Sequence, residues 1–201
     1  MIAIIDYDAG NLKSVSKALN FLGEEVVITR QRDTLLMADK VILPGVGAFG
    51  EAMEQLHSYH LVDTIKEIVA NKTPFLGICL GQQLMFEGSE ESVGVKGLSL
   101  LPGKIVKIPE TKGLKIPQIG WNSLSIKQGS KLFRNVPDQA YVYFVHSYYL
   151  NATNREDVAA TTEYGTLIDA SIEHENLFAC QFHPEKSGDV GLMILKNFAS
   201  L

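Results

Sequence analysis

Short apolar runs alternate with amphipathic stretches along the first half of this 201-residue chain. Apolar runs predict strands, here at residues 1–6, 25–29, 40–43 and 75–78. The stretches 11–22 and 60–71 repeat apolar residues every three or four positions, as an amphipathic helix does. The run at 75–78 has no polar alternation, which is typical of a strand covered on both faces. The order of strands and helices therefore predicts a mostly parallel sheet with helices on both faces.

The pattern in the second half of the chain predicts more strands and a final helix that begins at Val190. Turn signals at Tyr164-Gly165 and Glu175-Asn176 separate some of these strands. The predicted strands span residues 98–101, 103–108, 119–126, 141–147, 158–163, 167–173 and 177–182. With no linker or repeat, we expect residues 1–201 to form one α/β domain with three α/β/α layers around a mixed, mostly parallel sheet.

Composition narrows the class of function. Hydrophobic residues make up 46% of the chain, charged residues 20%, and the net charge is -5. An acidic chain without a basic arm gives no electrostatic reason to expect nucleic acid or an anionic membrane as partner. The N-terminus lacks a signal-peptide pattern, so we expect a cytoplasmic protein. The two cysteines do not make a disulfide framework, the five histidines lack metal-site spacing, and we predict no metal or cofactor.

A cysteine stands where the apolar strand at 75–78 turns into a helical segment. Gly77 and Gly81 flank Cys79 at minus and plus two, the spacing of a nucleophile elbow. A thiol at a helix N-terminus also meets a partial positive charge that favours the thiolate. The competing interpretation is a small buried cysteine in the core. The elbow alone does not decide between the two.

A possible base and orienting group follow the last predicted strand. His183 and Glu185 are separated only by Pro184, so the carboxylate can hold one ring nitrogen while the other faces the sulfur. In isolation this pair is better explained as a strand-end histidine beside a solvated glutamate. Elbow, base and orienting group together favour a nucleophilic site with Cys79, His183 and Glu185 as its catalytic residues.

A glycine-rich turn follows the third strand at Pro44-Gly45-Val46-Gly47. Its backbone N–H groups, at Val46 and Gly47, are unobstructed by large side chains. Together with the N–H of Leu80, directly after the nucleophile, they are candidates for an oxyanion hole. Taken by itself, this segment is better explained as a plain glycine-rich loop after a strand.

The motifs Gly77-Ile78-Cys79-Leu80-Gly81-Gln82-Gln83 and His183-Pro184-Glu185 resemble those of the class I, or triad, glutamine amidotransferases. The resemblance implies a flavodoxin-like α/β fold. Within the family, the chain is similar over its whole length to the glutaminase subunits of imidazole glycerol phosphate synthases, which act in histidine biosynthesis. Gln82 departs from the methionine expected there. Further matching segments are Asp6-Tyr7, Gly10-Asn11-Leu12, 44–50, 94–98, Gly120-Trp121-Asn122, 143–148 and 183–187.

The resemblance also implies residue roles. Cys79 would attack the carboxamide of L-glutamine, His183 would pass a proton to the leaving ammonia, and the thioester would then be hydrolysed to glutamate. Positions that hold the amino-acid end of the substrate match Gln83, Glu91, Ser147 and Tyr148. Without the resemblance, Gln83 is better explained as a helix-surface amide, and Glu91 as a solvated carboxylate.

The chain offers no second domain to accept ammonia, so we expect ammonia to pass to another chain. The resemblance names that partner as a (βα)8-barrel cyclase subunit in a heterodimer, and implies weak glutaminase activity until the partner carries its ligand. Positions in the implied interface are Asn11, Trp121, Tyr143 and Lys186. Trp121 is the only tryptophan, and a buried core residue is the competing interpretation.

Other functions remain open at this point. The glutaminase of pyridoxal phosphate synthase shares the triad, but a Gly-Gly-Glu-Ser type of turn is expected there in place of Pro44-Gly45-Val46-Gly47. A cysteine peptidase or a γ-glutamyl hydrolase could use the same elbow. A non-catalytic regulatory module that binds a barrel partner has no need of the three intact triad residues.

Overall fold

The computed structural model describes all 201 residues and contains six helices. None of them is long and apolar enough to cross a membrane. They are α1 (Leu12–Phe21), α2 (Arg32–Leu36), α3 (Phe49–Ser58), α4 (Leu61–Ala70), α5 (Leu80–Leu84) and α6 (Gly188–Ala199). Two short 3-10 turns span Arg155–Asp157 and Pro184–Lys186.

Thirteen strands form one large mixed sheet and a separate two-stranded ribbon. The strands are β1 (Ile2–Ile5), β2 (Val26–Thr29), β3 (Lys40–Gly45), β4 (Phe75–Cys79), β5 (Gly88–Ser89), β6 (Gly103–Lys107), β7 (Gln118–Ser123), β8 (Ser125–Ile126), β9 (Tyr141–His146), β10 (Tyr148–Ala152), β11 (Val158–Glu163), β12 (Leu167–His174) and β13 (Leu177–Cys180). The sheet order is β2-β1-β3-β4-β13-β12-β10-β6-β5, with β11 pairing β12 and β8. The ribbon joins β7 to β9.

The first five strands of this order, β2 to β13, are all parallel, and the pairs from β13 to β6 are antiparallel. Strands β1, β4 and β13 are fully buried along their length, as expected for strands covered on both faces. The carboxyl ends of β3, β4 and β13 meet at one edge. Ligands of such sheets bind at that edge, and Cys79 lies there at the end of β4.

Alternate side chains of the parallel strands fill two cores, one on each face. Ala3 and Ile5 of β1 pack with α2, α3, α4 and α5 in the first core. Ile2 and Ile4 pack with α1 and α6 in the second. A helix–sheet–helix arrangement follows, and the three predicted layers are present.

The longer predicted helices lie within one or two residues of their predicted ends, whereas two strand predictions need correction. No strand forms at 98–101: Ser99 has a φ of 52°, and the N–H groups of Leu98 and Leu100 bond the carbonyls of Leu84 and Met85. This segment therefore caps the end of α5 while Leu98 enters the core. The predicted strand 119–126 is interrupted at the buried Leu124 and becomes β7 and β8.

Candidate active site

Cys79 occupies a strained turn between β4 and α5, with φ 55° and ψ -110°. A Cβ atom on Gly77 would lie 2.8 Å from the Gly81 carbonyl oxygen and 2.9 Å from the Gln82 nitrogen, and one on Gly81 would collide with the Leu43 carbonyl. Both flanking glycines are thus required by the backbone. The turn places Cys79, which is 7% exposed, in the lining of a pocket of about 310 Å³.

His183 and Glu185 form a buried pair beside this sulfur. Nδ1 of His183 lies 2.8 Å from Oε1 of Glu185, and the two side chains are 2% and 1% exposed. Nε2 of His183 makes no hydrogen bond within the protein, although His183 lines the same pocket as Cys79. Burial lowers the pKa of His183, but the Cys79 sulfur and the Glu185 carboxylate outweigh it and raise the pKa to about 9. The ring therefore holds a proton at neutral pH.

The second cysteine lies in a different environment. Cys180 is fully buried in β13, where burial, and then the charges of Glu185 and Cys79, raise the pKa of its thiol well above the usual value. It stays a neutral thiol inside the core, and only Cys79 reaches the pocket.

The structure adds a residue that sequence reasoning missed, the fully buried Gln181. Its Nε2 donates to the sulfur of Cys79 at 3.7 Å, and its Oε1 accepts a hydrogen bond from Nε2 of Gln83 at 3.0 Å. The same Nε2 of Gln83 donates to the Tyr148 carbonyl at 3.0 Å. Gln83 is 5% exposed, so it is not a helix-surface amide. Gln181 lies in a bend directly after β13, so strand periodicity gave no signal for its contact with Cys79.

His146 is a second missed residue. Its Nδ1 lies 2.9 Å from the Tyr148 carbonyl oxygen and its Nε2 lies 2.9 Å from Oε1 of Gln118. Burial lowers its pKa to about 4, so the ring is neutral and carries one N–H. Both ring nitrogens face oxygen atoms, which accept, so the neutral ring donates its single N–H to one of them. The ring fixes the segment from Ser147 to Tyr148, which lines the pocket.

The turn at residues 44–47, here called the 44–47 loop, forms the opposite wall of the pocket. Gly45 pairs with Cys79 in the sheet, but Val46 beyond it is 44% exposed. The N–H groups of Val46 and Gly47 donate no hydrogen bond within the protein. Leu80 is the first residue of α5, so its N–H has no partner within that helix. The structure therefore brings the three candidate oxyanion donors to the pocket that contains the sulfur.

Glu91 also lines the pocket, and its side chain is tethered. Its Oε2 accepts a hydrogen bond from the Phe49 N–H at 2.8 Å, which caps the first turn of α3. The carboxylate is thus held at the pocket by a helix N-terminus rather than being freely solvated.

Comparison with known proteins matches the family described as "Glutamine amidotransferase class-I" to residues 3–200. The chain belongs to this family. Solved structures confirm the α/β fold predicted for the amidotransferase: one glutamine amidotransferase superposes with a TM-score of 0.76 at 17% identity over 99% of this chain and 100% of that one. The glutaminase domain of Trypanosoma brucei CTPS gives a TM-score of 0.69 at 18% identity, covering 99% and 93%.

Two relatives are similar to this amidotransferase over nearly their entire length. The protein named imidazole glycerol phosphate synthase subunit HisH of Methanocaldococcus jannaschii is 48% identical over 201 residues, covering 100% of both chains. The protein of the same name from Chlorobaculum tepidum is 50% identical over 200 residues, covering 99% of each.

The four residues expected at a partner interface lie on the amidotransferase surface near the carboxyl edge of the sheet. Trp121 is 55% exposed and packs edge-on against Tyr143, with 6.1 Å between ring centroids. Lys186 places its Nζ 6.0 Å from the centre of the Tyr143 ring. Asn11 precedes α1, which packs against the 3-10 turn that carries Lys186. Trp121 is therefore a surface residue, not part of either core.

Proposed function

We propose that this chain hydrolyses L-glutamine to glutamate and ammonia and passes the ammonia to a cyclase subunit of imidazole glycerol phosphate synthase. The cyclase then makes imidazole glycerol phosphate and an aminoimidazole carboxamide ribonucleotide in histidine biosynthesis, in the cytoplasm. The observation that carries the chemistry is the buried His183–Glu185 pair, 2.8 Å apart, beside the strained Cys79. The full-length relatives named HisH support the pathway.

The reaction begins with attack of the Cys79 thiolate on the carboxamide carbon of glutamine. Electrons move onto the carbonyl oxygen, and the N–H groups of Val46, Gly47 and Leu80 are the donors available to this oxyanion. Because the pKa of His183 is about 9, its ring already carries the proton that the leaving nitrogen needs. The C–N bond breaks, ammonia leaves, and a glutamyl thioester remains on Cys79.

Hydrolysis of the thioester completes the cycle. His183, now neutral, accepts a proton from water as the water oxygen attacks the thioester carbon. The C–S bond breaks, glutamate is released, and the thiolate and imidazolium are restored. Glu185 keeps Nδ1 of the ring protonated throughout, so that Nε2 always faces the reacting atoms.

The amino-acid end of glutamine fits the polar part of the pocket. The Glu91 carboxylate is a suitable partner for the α-ammonium group, and the backbone of Ser147 and Tyr148 for the α-carboxylate. Both hydrogens of the Gln83 amide already bond to Gln181 and Tyr148, so Oε1 is the Gln83 atom left to contact substrate. Gln83 thus links the backbone of Tyr148 to the side chain of Gln181, which in turn contacts the sulfur of Cys79.

The partner surface follows from the exposed aromatic pair. Trp121 and Tyr143, with Lys186 over the tyrosine ring, form a solvent-facing cluster near the pocket. Aromatic residues with a cation are common at the centres of protein interfaces. We expect Trp121→Ala to weaken association with the (βα)8-barrel cyclase while leaving folding intact.

The function is tested by glutamate release from glutamine, with the chain alone and with the cyclase subunit plus its nucleotide substrate. We expect strong stimulation by the cyclase, lost in Cys79→Ala but retained in Cys180→Ala, which is matched in residue type and burial. High activity that does not change when the cyclase is added would indicate that the protein acts in another pathway. No glutamate release under any condition would contradict the proposal.

A further inference from the structure

Tyr7 is a buried residue to which no role has been given so far. It follows β1 and is 0% exposed, and its hydroxyl donates a hydrogen bond to the carbonyl of Pro44 at 2.8 Å. Pro44 is the first residue of the 44–47 loop. Pro44 and Gly45 are also the last two residues of β3, so a side chain beyond the end of β1 binds the end of β3 just before Val46.

The hydrogen bond continues a strand pairing that stops too early to reach the loop. Strands β1 and β3 pair in register only as far as Ile4 and Ile42, two residues before Pro44. Beyond that point the backbone of β1 gives β3 no partner, and the Tyr7 hydroxyl binds the Pro44 carbonyl instead. A buried carbonyl left without a donor is destabilised, so this bond, together with the pairing of Pro44 and Gly45 with β4, fixes the Pro44 peptide in one orientation.

Packing around Gly45 places the same hydroxyl against the nucleophile elbow. A Cβ atom on Gly45 would lie 2.6 Å from the Tyr7 hydroxyl oxygen, 2.8 Å from Cβ of Leu80 and 2.9 Å from the Gly81 nitrogen. Gly45 is thus confined between Tyr7 and the start of α5. On the other side, a Cβ on Gly10 would lie 3.4 Å from Pro44.

One residue further along, the confinement ends. Val46 is 44% exposed, and a Cβ on Gly47 would meet no atom within 4 Å. The boundary between fixed and unconfined backbone therefore lies between Gly45 and Val46. The direction of the Val46 and Gly47 N–H groups depends on where the preceding peptide is held.

We propose that Tyr7 is a positioning residue for the oxyanion hole: its hydroxyl fixes the Pro44–Gly45 peptide so that the N–H groups of Val46 and Gly47 can be aimed at the developing oxyanion. This rests on the proposed glutaminase function. Burial, and then the negative charge of Cys79, raise the pKa of the Tyr7 phenol, so it remains a donor across the working pH range. Tyr7 itself touches no reacting atom and acts through the loop.

Tyr7→Phe tests the proposal because it removes only the hydroxyl and keeps the ring. Loss of a whole oxyanion donor lowers kcat by about 10²- to 10³-fold, so loss of its support is expected to lower kcat for glutamate release by about tenfold. The KM for glutamine should change less than about twofold, since the oxyanion forms only after binding. Alkylation of Cys79 by iodoacetamide builds no oxyanion, so its rate should stay within about twofold of wild type.

Thr162→Val is the matched control. The Thr162 hydroxyl is buried and donates to a backbone carbonyl, that of Ser123, at 2.8 Å, but it lies in β11 outside the pocket. Both variants should lose similar thermal stability, and only Tyr7→Phe should lose kcat. Unchanged kcat in Tyr7→Phe, or a proportional loss of kcat, glutamine binding and alkylation, would overturn the positioning role. An inactive wild type would instead contradict the proposed function itself.

Discussion

The two walls of the pocket are built in opposite ways. On one wall, His183 and Glu185 are at most 2% exposed and joined by a hydrogen bond, and Gln181 holds the sulfur of Cys79. On the other wall, Val46 is 44% exposed and the N–H groups of Val46 and Gly47 have no partner in the protein. The wall with the proposed nucleophile and base is fixed by burial, whereas the wall with the proposed oxyanion donors is fixed only as far as Gly45.

The difference separates two requirements of catalysis. A nucleophile and base need a constant mutual geometry in every step, which buried hydrogen bonds provide. Oxyanion donors are needed only in the tetrahedral states, so they can be left unpaired until substrate or a partner aligns them. In a glutaminase that depends on a partner for activation, we expect the oxyanion donors of the 44–47 loop to be the part whose conformation changes.

The largest expected effect comes from a substitution in the buried His183–Glu185 pair. Glu185→Gln removes the charge that orients His183 and stabilises its protonated form, and an amide in this position also permits the wrong ring tautomer. We expect kcat for glutamate release to fall by about 10³-fold or more. Glu175→Gln, which disturbs a surface pair with Lys72 far from the pocket, is the control and should change kcat little. Equal activity of the two variants would show that the buried pair is structural.

The same substitution has a signature in stability against pH. The folded-state pKa of His183 is about 9, above its ordinary value of 6.5, so the stability it contributes is complete below pH 6.5 and is lost as the pH rises through 9. Glu185→Gln lowers this pKa. The difference in free energy of unfolding between wild type and variant should therefore shrink from pH 6.5 to pH 9, as measured by urea denaturation. A difference that grows over this range would reverse the assigned direction.

The role of the 44–47 loop is tested by comparing Gly47→Ala with Gly23→Ala. Both glycines have positive φ, 97° and 86°, and in both cases a Cβ meets nothing within 4 Å. Each substitution should cost about 1 kcal/mol of stability through backbone strain. Only Gly47 carries a candidate oxyanion donor, so only Gly47→Ala should lower kcat, by about tenfold or more. Similar kinetics for both variants would remove the 44–47 loop from the mechanism.

Binding of the substrate's α-ammonium group is tested with Glu91→Gln. The amide still accepts the Phe49 N–H that caps α3, so the fold is preserved, but the charge facing the α-ammonium group is lost. Loss of a charged hydrogen bond is expected to raise the KM for glutamine by about tenfold. Glu90→Gln is a close control, because Glu90 is also exposed and accepts a backbone N–H, that of Lys107, but lies outside the pocket. An equal KM in both variants would exclude Glu91 as the ammonium partner.

The smallest effect is expected at Gln82, which lies in α5 three residues after Cys79. Gln82 is 0% exposed, its Oε1 has no partner, and its Nε2 makes only a 3.4 Å hydrogen bond to the Asp169 carbonyl. Gln82→Met replaces the unpaired amide by an apolar chain of similar length and should raise the free energy of unfolding by about 1 kcal/mol. Gln83→Met breaks two 3.0 Å hydrogen bonds and should lower it. The same sign for both would contradict this account.

Sequence patterns predicted the parallel core, the elbow and the triad residues because each depends on local spacing. The strand predicted at 98–101 was wrong because an apolar run that closes a helix end has the same sequence pattern as a short buried strand. Gln181 and His146 were missed for another reason: their partners lie 102 and 28 residues away in the chain, at Cys79 and Gln118. Contacts of that kind follow from sheet order, which periodicity does not give. The roles of the substrate and interface residues came from the family resemblance and stay predictions.

The central claim, that Cys79 is the nucleophile for glutamine, is tested most directly by a glutamine analogue whose carboxamide is replaced by an electrophilic diazoketone. Peptide mapping after incubation at neutral pH should find one label per chain, on Cys79, with labelling slowed by excess glutamine. Labelling of Cys180, or no labelling of Cys79 in a preparation that still releases glutamate, would contradict the account.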